Sequence, residues 1–303
     1  MLEIKIEGFN MRLDEQDVKL FYKLHPALLF YAIQKLKLDP DVKTIDDLWN
    51  LKVEQRIEFH NHLYDNFDIV DSFYNENPAN LTEKELGIIL SWKKFIKDDF
   101  IVYKQYKKYC AFMKTESPAH VYAVLGLQDK LEDVLPYMPV MVNAVLLPWK
   151  DQIIYDGIIT HQRITFGRSM RESFKDEFEV SKAKFGIIES LPYKPITEEE
   201  STTNLLRYYL KSDSNIQLFE EEIEYLINKN ENLLKLYHQE LGKRYSTGLR
   251  KRLKQIGVSD CWFVSIDDLI IASGKSKDEA KENAEKIITK KMREFIFLFQ
   301  IKG

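Results

Sequence analysis

The residues best suited to chemistry lie in one short segment, where a strand-like stretch leads into a helix. Asp156 and His161 can exchange protons, and Arg163, Arg168 and Arg171 could hold a negatively charged oxygen. This set favours, as one alternative, a hydrolase or transferase acting on an anionic substrate. The segment offers no clear nucleophile, and the chain lacks the Gly-x-Ser-x-Gly, phosphate-loop, dinucleotide-binding and His-Glu-x-x-His patterns. The catalytic residues are therefore candidates because of their types and their closeness in one segment, without a recognised catalytic motif.

The position of two of these arginines needs an explanation. Arg168 and Arg171 stand at the predicted start of a helix, where the helix dipole disfavours a cation. One explanation is an internal ion pair with a carboxylate of Asp156, Glu172 or Asp176. The other is an external phosphate or carboxylate, which the free amides at the helix start would also attract. Exposed arginines pair locally more often than they bind ligands, so we favour the internal pair.

The sequence gives no metal site and no cofactor. His60 and His62 are the only close histidine pair, and residues two apart on a helix point to different sides, so we expect surface or capping roles for them. Cys110 and Cys261 are the only cysteines, too few for a four-thiolate site or a disulfide framework.

The charge of the chain is unevenly distributed. Residues 241–303 hold 14 Lys and Arg against 8 Asp and Glu, a balance of +6, whereas the whole chain has a net charge of −4. A basic tail on an acidic body suggests an anionic partner. The leading hypothesis is a non-catalytic binding protein that binds nucleic acid through this region. The candidate contacts are Arg250, Lys251, Arg252, Lys254, Lys275, Lys277 and Lys281. A third hypothesis is a protein–protein scaffold whose basic tail docks on its own acidic body.

Part of this basic region resembles known modules. The stretch from Ala272 to Ala284 is similar to the second half of a double-stranded-RNA-binding domain, and the resemblance implies that Lys275, Lys277 and Lys281 contact phosphates. Only two strands precede the helix, and another follows it, which departs from that pattern. In layout the region more closely resembles a small uncharacterised prokaryotic ββαβ module, which implies no activity. The central stretch from Val145 to Gly157 also resembles uncharacterised prokaryotic proteins.

The sequence predicts an α+β fold, which would position the candidate catalytic and nucleic-acid-binding residues. Residues 1–98 show helical spacing of apolar residues, with a short strand possible over Met1–Phe9 and a capping box at Thr82. Residues 99–195 predict a small antiparallel sheet or half-open barrel with helices. Residues 196–240 predict a helical connector, and residues 241–303 a basic α-ββαβ module. The strands of the central region are predicted at 100–113, 120–128, 141–149 and 152–166.

The location and partners can be bounded only broadly. No apolar run approaches the ~20 residues needed to cross a bilayer, and the N-terminus does not have the pattern of a signal peptide. We therefore expect a cytoplasmic protein without a membrane partner. The sequence does not indicate an oligomeric state.

Overall fold

The chain has an α+β fold, which confirms the predicted class. A computed structural model describes residues 11–116, 118–135 and 137–302. The chain divides into two compact units, the first ending at Pro195 and the second beginning at Ile196. The strand predicted over Met1–Phe9 lies outside the described residues. No helix in the described ranges is both long and apolar enough to cross a membrane.

The first unit begins with helices, which start and stop at local signals. Asp14 caps the first helix by accepting a hydrogen bond from the Asp17 amide at 2.8 Å, and Lys37 ends it in the left-handed conformation. Pro26 lies inside this helix without dividing it, although proline removes one backbone hydrogen bond. The helices are α1 (Glu15–Leu36), α2 (Asp47–Asn50), α3 (Val53–Asp65), α4 (Ile69–Glu76) and α5 (Glu83–Ser91).

Six strands follow, and five of them close into a ring. They are β1 (Ile96–Gln105), β2 (Cys110–Lys114), β3 (Val121–Leu125), β4 (Val140–Trp149), β5 (Gln152–His161) and β6 (Ile187–Ile188). The order is β2-β1-β4-β5-β3-β6, and β2 also pairs with β3. The first predicted strand is therefore a hairpin, and the last one ends at His161 rather than Phe166.

The sheet is mixed, which corrects the antiparallel arrangement expected from the sequence. β3 runs parallel to β5 and to β6, whereas the other pairings are antiparallel. The reason is geometric, because a closed ring with an odd number of strands cannot have every neighbouring pair antiparallel. Two further helices belong to this unit, α6 (Leu131–Val134) and α7 (Arg168–Phe185).

Helices and sheet share one hydrophobic core in the first unit. Phe21 of α1 contacts both Trp92 and Trp149, and all three side chains are fully buried. The same cluster of buried residues includes side chains from both 1–98 and 99–195. Phe178 of α7 covers the opposite face of β1 and β2. The helical region is thus packed directly on the strands that it precedes.

The second unit consists of four helices followed by a small antiparallel sheet, with a further helix between the last two strands of the chain. Its elements are α8 (Glu198–Tyr209), α9 (Asp213–Leu218), α10 (Glu220–Lys229), α11 (Glu231–Gln255), β7 (Cys261–Ile266), β8 (Leu269–Gly274), α12 (Lys277–Ile287) and β9 (Phe297–Ile301). The sheet order is β8-β7-β9. The predicted β-β-α-β succession is therefore present. The preceding helix, α11, carries Arg250, Lys251, Arg252 and Lys254.

Candidate metal centre

The structure places the predicted catalytic candidates in two different environments. Asp156 is buried in β5, whereas the side chains of the other four candidates are exposed: His161, Arg163, Arg168 and Arg171. Arg168 pairs with Glu172 at 3.0 Å, one of the internal partners considered above. Arg171 donates to the carbonyl of Phe166 at 3.1 Å. Among the described residues, no hydrogen bond or ion pair joins Asp156 to any of these four side chains.

The predicted nucleic-acid contacts are mostly exposed. Arg250 is the exception, because it donates to the Gln300 carbonyl at 3.3 Å and lies over the Phe299 ring at 5.2 Å. The exposed cations are Lys251, Arg252 and Lys254 on α11 and Lys275, Lys277 and Lys281 around the start of α12. Lys281 also lies 3.8 Å from Glu285 on its own helix.

A cluster that the sequence did not reveal lies in the core of the first unit. His25 of α1, His60 of α3 and Asp156 of β5 are all buried, and each offers one ligand atom within 4.8 Å of the others. His60 is therefore not the surface residue that its neighbourhood predicted. His62, two positions further along α3, is partly exposed and lies 3.9 Å from Glu58. The histidine that lies close to His60 in space is His25, with ring centroids 6.3 Å apart.

A β-bulge aims Asp156 into this core. The register between β4 and β5 shifts after Ala144, which pairs with Ile159, whereas Leu146 pairs with Tyr155. Asp156 is one of the extra residues of β5 in this bulge. The next residue, Gly157, has φ 99°, a backbone conformation that residues other than glycine rarely adopt. Bulges are common where a strand must redirect a functional side chain. This one turns a carboxylate away from the ladder and towards two helices.

Hydrogen bonds hold the carboxylate at a fixed position. One oxygen of Asp156 contacts His60 Nε2, and the other accepts a hydrogen bond from the Ile158 amide at 3.2 Å. The side chain of Asp156 is completely shielded from solvent. The Tyr64 hydroxyl lies 3.4 Å from His25 Nε2, and burial together with the charge of Asp156 raises the pKa of Tyr64 well above its usual range. Tyr64 therefore stays a neutral phenol beside the cluster.

His25 is held in its neutral form. Burial lowers its pKa to about 4, although the Asp156 charge acts in the opposite direction. Its ring stacks on the Phe21 ring with centroids 5.3 Å apart, and its centroid lies 5.9 Å from that of Trp92. A neutral imidazole has a free lone pair, which is the form that binds metal ions.

The donor set suits a divalent first-row transition metal. Two imidazoles and one carboxylate are ligands that zinc accepts, and catalytic zinc sites commonly use three protein ligands with a further position left for water or substrate. The same set is found at non-haem iron sites. Metal-bound side chains are usually held in place by further hydrogen bonds. Asp156 has such a bond, because its carboxylate accepts one from the backbone.

A cavity of about 240 Å³ adjoins the cluster. Its walls come from α1, α2, α3 and β5, and they include His25, Asp156 and Arg56. Tyr22 and Trp49 stand at its rim with 40% and 54% of their surface exposed. Their ring centroids are 6.4 Å apart. A metal ion at the cluster would thus lie beside a space that admits a small molecule.

The comparisons with known proteins identify no relatives. No family model matches the chain, and no curated protein or solved structure shows significant similarity to it. Functional inference therefore depends on the residues described above.

Proposed function

We propose that the first unit is a metal-dependent enzyme that binds a divalent transition-metal ion through His25, His60 and Asp156. The observation that carries this proposal is the convergence of three buried ligand side chains, from three separate elements, beside a cavity. A purely structural role for the His60–Asp156 pair would not require a second histidine within ligand distance or an adjoining space. The free, separate thiols of Cys110 and Cys261 fit a reducing compartment, and we propose a cytoplasmic location.

The bound ion would act as a Lewis acid on a molecule in the cavity. Zinc in this role polarises an oxygen of the substrate or lowers the pKa of a bound water, which makes hydrolytic or transfer chemistry possible at neutral pH. The protein would hold the three ligand side chains rigidly and would limit the access of water to the ion. Phe21 and Trp92 around His25 supply that dry, shaped environment.

The direct test is metal stoichiometry in a chelator-treated and dialysed protein. We expect one zinc ion per chain by isothermal titration calorimetry and elemental analysis, and loss of that binding in His25→Ala, His60→Ala and Asp156→Asn. His62→Ala is the matched control, since it removes a partly exposed histidine from the same helix. The absence of stoichiometric zinc or iron(II) binding by the folded protein, or equal loss in His62→Ala, would overturn the proposal.

A second function is supported for the second unit by the exposure of six of its predicted basic contacts. We propose that these cations, on α11 and around the start of α12, bind nucleic acid through phosphates. Affinity for a duplex RNA should then fall steeply with salt, and Lys251→Glu and Lys275→Glu should weaken it further. Lys93→Glu in the first unit, where Lys93 pairs with Asp71 at 2.6 Å, is the control. A protein that does not bind duplex RNA at low salt would refute this function.

A further inference from the structure

Arg56 is a half-buried cationic group in the wall of the cavity. Its Nε is shielded from solvent and has no hydrogen-bond acceptor among the residues that the structure describes, and no ion pair is found for it there. A buried donor without an acceptor costs roughly 1–3 kcal/mol, so such an atom is usually completed by a water molecule or a ligand.

The position of Arg56 relative to the metal ligands indicates what would complete it. Arg56 precedes His60 by four residues on α3, so the two side chains lie on one face of the helix, one turn apart. Arg56 and Asp156 line the same cavity. A molecule in this space would therefore meet the metal site on one side and the guanidinium on the other.

The charges of the site favour an anion. A divalent ion bound by two neutral histidines and one carboxylate leaves a net positive charge, to which Arg56 adds another. The guanidinium also offers paired N–H donors in a plane that matches a carboxylate. This charge balance depends on the bound ion, so the inference rests on the proposed function.

The remaining walls favour a small ligand with an apolar ring. Phe21, Pro26, Leu29 and Leu48 contribute apolar surface, and the rings of Tyr22 and Trp49 stand at the rim. The cavity volume of about 240 Å³ is below the roughly 300–1,000 Å³ of sites for drug-sized ligands. These dimensions suit a single-ring acid better than a nucleotide or a peptide.

We propose that the cavity binds a small aromatic carboxylate, with Arg56 holding its carboxylate group and Tyr22 and Trp49 contacting its ring. Arg56 is then a substrate-binding residue of the metal-dependent reaction. The ligand class follows from three features together: a guanidinium whose shielded Nε lacks an acceptor among the described residues, apolar walls and aromatic side chains at the opening.

The test uses benzoate as the probe, titrated by calorimetry into the full-length zinc-loaded protein. We expect saturable binding by the wild type and a weakening of roughly 10- to 100-fold in Arg56→Met, the range for loss of a charged hydrogen bond. Arg56→Lys should recover part of the affinity, because it restores the charge without the planar fork. Benzamide, which has the same ring without the charge, should bind the wild type as weakly as benzoate binds Arg56→Met.

Two controls separate the contributions of the ligand's parts. Arg168→Met removes an exposed arginine that pairs with Glu172, and it should leave benzoate binding unchanged. Trp49→Ala should weaken benzoate binding but leave acetate binding unchanged, because acetate has no ring to contact. Trp49 is more than half exposed, so this variant should fold even if Arg56→Met does not.

Measuring zinc content in the same samples distinguishes the two ways to fail. Stoichiometric zinc without saturable benzoate binding, or with equal binding by wild type and Arg56→Met, overturns the carboxylate site and leaves the metal centre standing. Absence of both zinc and iron(II) binding overturns the metal centre. Benzoate binding that requires both zinc and Arg56 supports the complete proposal.

Discussion

Replacing Asp156 by asparagine should separate the structural and metal-binding contributions of the buried cluster. Asparagine keeps the size of the side chain and can still accept the hydrogen bond from the Ile158 amide. It removes the negative charge that faces His60 and that would ligate the ion. The variant therefore changes electrostatics with little change in volume.

The expected magnitude has two parts. Without metal, weakening a completely buried polar contact should lower the free energy of unfolding by about 1–3 kcal/mol. With free zinc at 100 times its dissociation constant, the wild type gains a further ~2.7 kcal/mol that the variant lacks. The gap between the two proteins should therefore widen to about 4–6 kcal/mol when zinc is present.

Tryptophan fluorescence during urea unfolding is a suitable assay. Trp92 and Trp149 are fully buried and stack near the cluster, with ring centroids 6.4 Å apart, and Trp49 lies in the same unit. Trp262 alone belongs to the second unit, so the signal reports mainly on the first. A gap that is identical in zinc and in chelator would refute the assignment of Asp156 as a metal ligand. His62→Ala should show neither part of the effect.

Three further predictions test the fold. Gly242→Ala should lower the stability of the second unit by about 1–3 kcal/mol, because the added Cβ would collide with Cβ and a ring carbon of Phe297 in β9. Gly248→Ala in the same helix should raise the stability by about 0.5–1 kcal/mol, since nothing lies within 4 Å of the added Cβ. Hydrogen exchange of α11 amides measures both changes, and two changes of the same sign would contradict the packing. Asn77→Ala should cost about 1–2 kcal/mol in urea unfolding and Asn77→Gly less, because residue 77 has φ 41° at the end of α4. The ion pair with Lys23 lowers the pKa of Glu85 to about 2, so the stabilisation by the Glu85 carboxylate is present above pH 4.5 and is lost as the pH falls towards 2. The difference in free energy of unfolding between wild type and Glu85→Gln should therefore shrink over that interval. A difference that stays constant with pH would contradict this assignment.

Local signals in the sequence predicted the elements well. The capping box at Thr82 starts α5, and Ser276 caps α12 by accepting a hydrogen bond from the Glu279 amide, as the residue types indicate. The β-β-α-β order of the last module also followed from short apolar runs and their turns. These features depend on residues close in sequence, which is why a single sequence predicts them.

The candidate site could not be predicted in this way, because its members are distant in sequence. His25 lies on the buried face of α1, four residues after Phe21, and that position resembles an ordinary core residue. Asp156 was a candidate for proton exchange, but its partners in the structure depend on a bulge and on helix packing. The ring closure is equally non-local, since nothing near β3 in sequence indicates that it pairs with β2 and β5 at once.

The odd number of strands in the ring has a consequence for the order of folding. The hairpin of β4 and β5 can form early, because its strands are joined by the two residues Lys150 and Asp151. The parallel contact between β3 and β5, which the odd number of strands requires, joins segments about 30 residues apart, so we expect the ring to close after the hairpin has formed. Asp156 lies on β5, the strand shared by both steps. The proposed ligands on α1, α3 and β5 can meet only when the two helices pack on this strand, so acquisition of zinc during refolding should follow formation of the hairpin.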